Sequence, residues 1–209
     1  MTGPHAIDDQ RVSMLVKDIE SVGDNQEIRI FAGEGNCHVY NREEVYNALT
    51  GVKTRGVKAR MILGPVFCVP DNDNRGYLRR LVEEDAITVY YRPYRFQLPH
   101  YRVFTDRDDS LKIYLEEPHP SMIPGKAVEN ADENVWARKY YADFDEFIKI
   151  YELEVVKDIA SRFLLWTPAQ IETVCILARE ENLDYDFLGK DELLKLQKRA
   201  EDERVWPMQ

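Results

Sequence analysis

Apolar and polar positions along the chain alternate with two distinct periods. Glu27-Ile-Arg-Ile-Phe31, Val57-Lys-Ala-Arg-Met-Ile-Leu63 and Ile87-Thr-Val-Tyr-Tyr91 carry the two-residue or continuous apolar pattern of strands. The helical period appears between them. Asn41-Arg-Glu-Glu44 reads as a helix start with Asn as N-cap, running to about Thr54 and closed by Arg55-Gly56. Asp73 to Asp85 places Tyr77, Leu78, Leu81 and Val82 on one side of a second helix. A β-α-β-α-β order with short connections predicts a parallel sheet covered by helices. His100-Tyr-Arg-Val-Phe-Thr-Asp106 and Leu111-Lys-Ile-Tyr-Leu-Glu-Glu-Pro-His119 then alternate around a charged Asp-Arg-Asp-Asp-Ser turn, which predicts a β-hairpin.

The remaining segments read as helices. Asp8 to Val22 turns Val12, Leu15, Val16 and Ile19 to the core, and Asp132 to Ala160 lines up Trp136, Tyr140, Phe144, Phe147, Ile148 and Tyr151 in a stripe suited to packing on the sheet. Thr167-Pro-Ala-Gln170 has the form of a capping box with Pro at the first helical position. Ile171, Val174, Cys175, Leu177 and Ala178 follow on one face, and Asp191 to Arg199 makes a last helix. The expected organisation is an α/β domain over residues 1–163 and a helical hairpin appendage over 164–209. A helix-turn-helix reader of DNA is disfavoured for that appendage, which is acidic and has a long loop.

With 209 residues, 44% of them hydrophobic, the chain can bury one substantial core. No apolar run approaches a membrane span and no basic segment precedes an apolar one at the start, so no membrane insertion and a cytoplasmic location are expected. Cys37, Cys68 and Cys175 lack paired spacing, which fits a reducing compartment and excludes cysteine ligation of a metal. The net charge of −10 opposes broad binding to nucleic acid and leaves only local basic patches. One is Lys53, Arg55, Lys58 and Arg60. The other is Arg92 and Arg95, interleaved with Tyr91, Tyr94, Phe96 and Tyr101, a mixture that can stack bases or sugars.

The candidate chemistry lies on the hairpin. Alternation puts His100 and Arg102 on one face of a strand, where a guanidinium fork and an imidazole suit a phosphate or carboxylate; the alternative is that both decorate a half-exposed strand. His100, Glu116, Glu117 and His119 form a nitrogen and oxygen set that a metal could use, but without His-Glu-x-x-His or helical ligand spacing; no metal and no cofactor are expected.

Over residues 25–160 the element order, with His100-Tyr-Arg102 and the closing helix from Trp136, resembles one half of the phospholipase D superfamily. That resemblance implies a histidine nucleophile, a second histidine as acid, and two half-sites paired by a homodimer. The pattern departs at three places. Arg102 stands where the family has Lys, and Arg107, flanked by Asp106 and Asp108, stands where it has Asp. Glu116-Glu117-Pro118-His119 replaces the phosphate-binding segment. On this reading His100, Arg102, Glu117 and His119 are the catalytic candidates, Asp106 an alternative to Glu117 for orienting an imidazole, and Arg102, Tyr101 and Arg95 the ligand contacts. The departures favour a degenerate member that binds a phosphorylated or sugar-like ligand in a regulatory or sensor role. A dimeric phosphodiesterase or nuclease, with nucleic acid as a possible substrate, and a structural protein acting through its helical tail are the alternatives.

Overall fold

The computed structural model describes residues 4–32, 39–40, 42–63, 76–91, 100–116, 127–128, 133–155, 166–183 and 190–208. In chain order the elements are α1 (Pro4–Ser21), β1 (Glu27–Phe31), α2 (Glu43–Lys53), β2 (Lys58–Leu63), α3 (Gly76–Glu83), β3 (Thr88–Tyr91), β4 (His100–Thr105) and β5 (Leu111–Glu116). They continue as β6 (Ala127–Val128), α4 (Glu133–Ile150), β7 (Glu154–Val155), α5 (Pro168–Glu180) and α6 (Lys190–Asp202). The strands form one open sheet of order β6-β5-β4-β1-β2-β3-β7.

β1, β2 and β3 are parallel neighbours, the part of the sheet that the βαβαβ pattern specifies. Every other pairing is antiparallel: β4 on β1, β5 on β4, β6 on β5 and β7 on β3. The expectation of a mostly parallel sheet is thus corrected to a mixed one. The hairpin returns directly beside β1, and the segment after α4 re-enters the sheet at its far edge.

The pleat of β1 divides the core. Ile28 and Ile30 face one way, into a cluster that gathers Leu15 and Ile19 of α1, Val45 and Leu49 of α2, Leu78 and Leu81 of α3, Ile171 and Val174 of α5, and Leu193 and Leu196 of α6. Glu27, Arg29 and Phe31 face the other way. There Phe31, Ile62, Tyr101, Val103 and Ile113 meet Ala137 and Phe144 of α4, the one helix contributing to that cluster among the described residues.

Local chemistry accounts for several element ends. Thr167 accepts from the Gln170 backbone while the Gln170 side chain accepts from the Thr167 N–H, the capping box foreseen at α5. The cap of α2 is Arg42, in extended conformation and without a side-chain cap bond, rather than Asn41. Gly56 has φ +76, a left-handed conformation that favours glycine, and a Cβ there would displace the Asn25 side chain where the α2–β2 and α1–β1 turns meet. The helix expected to reach Ala160 ends at Ile150. Glu152 turns to φ 49, Leu153 N–H closes on Ile148 O at 3.0 Å, and Glu154–Val155 pairs with β3.

Tyr101 lies under α4, between Phe31 (centroids 5.4 Å apart) and Tyr140 (4.7 Å), and its hydroxyl donates to the Tyr140 carbonyl at 3.3 Å. Burial, followed by the nearby Asp143 carboxylate, pushes its phenol well above the ordinary value of 10.0. The folded protein therefore keeps this proton after the unfolded chain has lost it. The associated stability is whole below pH 10.0 and declines as pH rises beyond it. Denaturant titrations above that pH should show a shallower alkaline loss for Tyr101→Phe than for wild type; equal slopes would mean that the phenol ionises freely in the folded state.

Candidate interface on the outer face of α4

The residues singled out on the hairpin are placed by β4 and β5, which align His100 with Glu116 and Arg102 with Tyr114. Strand parity sends Tyr101 and Arg102 to opposite faces. Tyr101 enters the α4 layer, and Arg102 enters the larger core with only 2% of its surface exposed. Its guanidinium donates to Asp18 of α1 from Nε (3.1 Å) and Nη2 (2.6 Å), and it lies 3.8 Å from the centroid of the Tyr114 ring. A cation held by a carboxylate from two nitrogens and stacked on an aromatic ring is already satisfied inside the fold. Asp106 receives Lys112 and the Arg107 N–H, which fastens the hairpin turn. Glu117, His119 and Arg95 lie outside the described residues, as do Arg92, Cys37 and Cys68. Cys175 is a buried free thiol.

A concavity of about 620 Å³ opens between α1, α2 and the hairpin turn, lined in part by Lys17, Glu20, Glu44, Arg55 and Arg107. Its cations first suggest an anion site. However, Arg55 donates to the carbonyls of Val22 (2.8 Å) and Glu20 (3.3 Å) and to Asp24 (2.9 Å), and Arg107 donates to Glu20 O (3.0 Å). These are the orphan carbonyls at the C-terminus of α1, the negative end of its dipole. With Glu20 and Glu44 also in the wall, the two arginines act as a clamp on that helix end, and the field opposes a bound anion.

The network that sequence reading missed joins β1, β2 and α4. Register places Arg29 opposite Arg60, and Glu27 and Asp145 bridge the two guanidiniums. Arg29 also donates to the Tyr141 carbonyl and lies 3.5 Å from the centroid of that ring, while Arg60 lies 5.2 Å from the Phe144 centroid. The available signal was two arginines at like positions of adjacent predicted strands, with an acidic helix still to be placed. Alone, neither strand shows that its charges turn inward.

This attachment decides which side of α4 stays outside. Ala137 and Phe144 are buried, whereas Val135 is 67%, Trp136 55% and Ile150 62% exposed. Trp136 and Tyr151, both expected in the packed stripe, are corrected to exposed positions at the two ends of the helix. The other exposed positions of the helix among the described residues are Arg138, Lys139, Ala142, Asp145, Glu146 and Lys149. An apolar group at each end of a charged helix, facing away from the core, is the arrangement in the described residues that most resembles an interface.

No family model matches the chain, and no curated protein does. Among solved structures it is similar to TrmBL2, described as an archaeal chromatin protein with a novel mode of DNA binding, at a TM-score of 0.45 and 11% sequence identity. The likeness covers 71% of this chain and 50% of that one, so this chain spans half the length of TrmBL2. No family model of the phospholipase D superfamily matches, and TrmBL2 is a chromatin protein, which corrects the expected kinship. The functional readings attached to that kinship, a degenerate phosphate- or sugar-binding sensor and a dimeric phosphodiesterase, are withdrawn with it. The alternative of a structural protein acting through its tail is corrected too, because Leu193, Leu196 and Ala200 of α6 are spent in the shared core.

If Arg102 is internal structure, its removal leaves Asp18 without its partner beneath α1. Urea titrations should show Arg102→Ala losing about 1.5–3 kcal/mol of stability, the worth of a charge-assisted contact to a carboxylate that keeps some access to solvent. A loss no larger than about 1 kcal/mol, the range of exposed pairs, would show that the guanidinium is not held in this way.

Proposed function

We propose that this chain is a self-associating domain, a homodimer formed through the outer face of α4, located in the cytoplasm. The supporting observation is the exposure of Val135, Trp136 and Ile150 on a helix whose opposite side is already committed to the sheet. Burying such side chains is worth roughly 1.5–3 kcal/mol each relative to exposure, so a partner offering the same groups would gain from both copies. The cytoplasmic location is supported by three cysteines without paired spacing, of which Cys175 is a buried thiol. In this reading the domain expected over 1–163 presents α4, while α5 and α6 of the appendage contribute to the core cluster on the other side of β1.

The DNA binding named for TrmBL2 belongs to that protein. Here the net charge is −10, and Arg29, Arg60 and Arg102 are engaged with carboxylates, which supports a protein surface as partner over a polyanion. The size of the face sets the expected strength. An 18-residue helix is about 27 Å long. Paired along its length it covers on the order of 400 Å² per copy, at the weak end of specific interfaces.

Light scattering or sedimentation should therefore show a mass rising from monomer toward dimer through the micromolar range. The double variant Trp136→Ser/Ile150→Ser should stay monomeric with its thermal midpoint within a few degrees of wild type. Monomer mass for the wild-type chain at every concentration would overturn the reading.

A further inference from the structure

Resting on that self-association, we infer that two copies of α4 pair antiparallel about a two-fold axis passing between Ala142 and Asp143. The charge order along the helix carries the inference. Among the exposed charges Arg138 and Lys139 lie in the first half and Glu146 in the second, with Lys149 beyond it; Asp145 is engaged by Arg29 and Arg60. A parallel pair would set Lys139 against its own copy and Glu146 against its own, two repulsions along one seam. Antiparallel, with the axis between 142 and 143, Lys139 faces Glu146 of the second copy, and symmetry repeats the pair.

The same register solves the rest of the seam. Val135 meets Ile150 of the second copy, so the apolar group at each end of the helix is covered by the group at the other end. Trp136, whose ring centroid lies 5.6 Å from Lys139 Nζ, flanks Val135 and borders Ile150 of the second copy. Ala142 sits at the crossing, where a short side chain lets the helix axes approach to about 8–10 Å. Positions 135, 139, 142 and 146 are separated by four, three and four residues, and with Ile150 they lie on one exposed side of the helix. All five are exposed and lie off the side that packs on the sheet.

The test is a charge-reversal cycle on the full chain, read as the dimer dissociation constant by sedimentation equilibrium. Lys139→Glu alone and Glu146→Lys alone should each weaken the dimer by about tenfold or more, since each creates two repulsive pairs across the axis. Lys139→Glu combined with Glu146→Lys should return it to within about threefold of wild type, because opposite charges face each other again. Circular dichroism melts of each variant confirm that the helices persist. A wild-type dimer indifferent to both reversals, or a double variant as weak as the singles, would overturn the antiparallel register while leaving self-association standing. A wild-type monomer would overturn both.

Discussion

Everything on the exposed side of this molecule depends on how α4 is anchored. Arg29 and Arg60 stand side by side on parallel strands, and like charges so placed would repel in the low dielectric beneath a helix. Glu27 from the same strand and Asp145 from α4 supply the compensating charge, so the sheet can carry its arginines inward only when α4 is seated above them. The rings of Tyr141 and Phe144 lie against the guanidiniums, while Asp145 stays half-exposed at the rim. Partly buried pairs of this kind add little net stability over an apolar core, but they favour the placement of the helix that brings Asp145 to the two arginines. Rotated about its axis, α4 would lose Asp145 from the network and leave Glu27 alone to balance two guanidiniums. The ionic network therefore fixes the azimuth of the helix, and with it the identity of the residues left facing out.

Two faces with different economies result. The face under α1, α2, α3, α5 and α6 is apolar and closed, and the ion pair of Arg102 with Asp18 sits at its margin, tying the hairpin to the N-terminal helix. The face under α4 is thin. One helix covers Phe31, Ile62, Tyr101, Val103 and Ile113, and it carries its own apolar ends in solvent. Among the described residues five helices contribute to one apolar cluster and one helix to the other, and that one helix is the element whose outer side the proposed dimer would cover.

The sequence was most legible where a single period decides the outcome. The three parallel strands, the hairpin from His100, the α5 capping box and the apolar side of α1 follow from alternation, turn residues and a Thr-x-x-Gln signature. Legibility failed where one residue had two physical fates. Arg102 read as a ligand contact because strand parity does not tell whether the opposing layer holds a carboxylate, and Asp18 lies 84 residues away. Trp136 and Tyr151 read as core because they share the helical period with Phe144 and Phe147, yet they lie at the ends of a helix that crosses a narrow apolar strip. The stop of α4 at Ile150 was hidden by helix-compatible residues beyond it; the left-handed turn at Glu152 and the open edge of β3 decide it. Arg95, Glu117 and His119 lie outside the described residues.

The most direct test of a two-fold pairing along α4 is a disulfide placed at its axis. An Ala142→Cys chain, oxidised at micromolar concentration, should give a covalent dimer on non-reducing electrophoresis, because the two Cα atoms at the crossing come within the roughly 4.4–6.8 Å that a disulfide spans. Lys149→Cys, about 20 Å from its own copy in the same register, should stay monomeric, as should the wild-type chain. Cross-linking at position 142 no faster than at 149 would contradict the account.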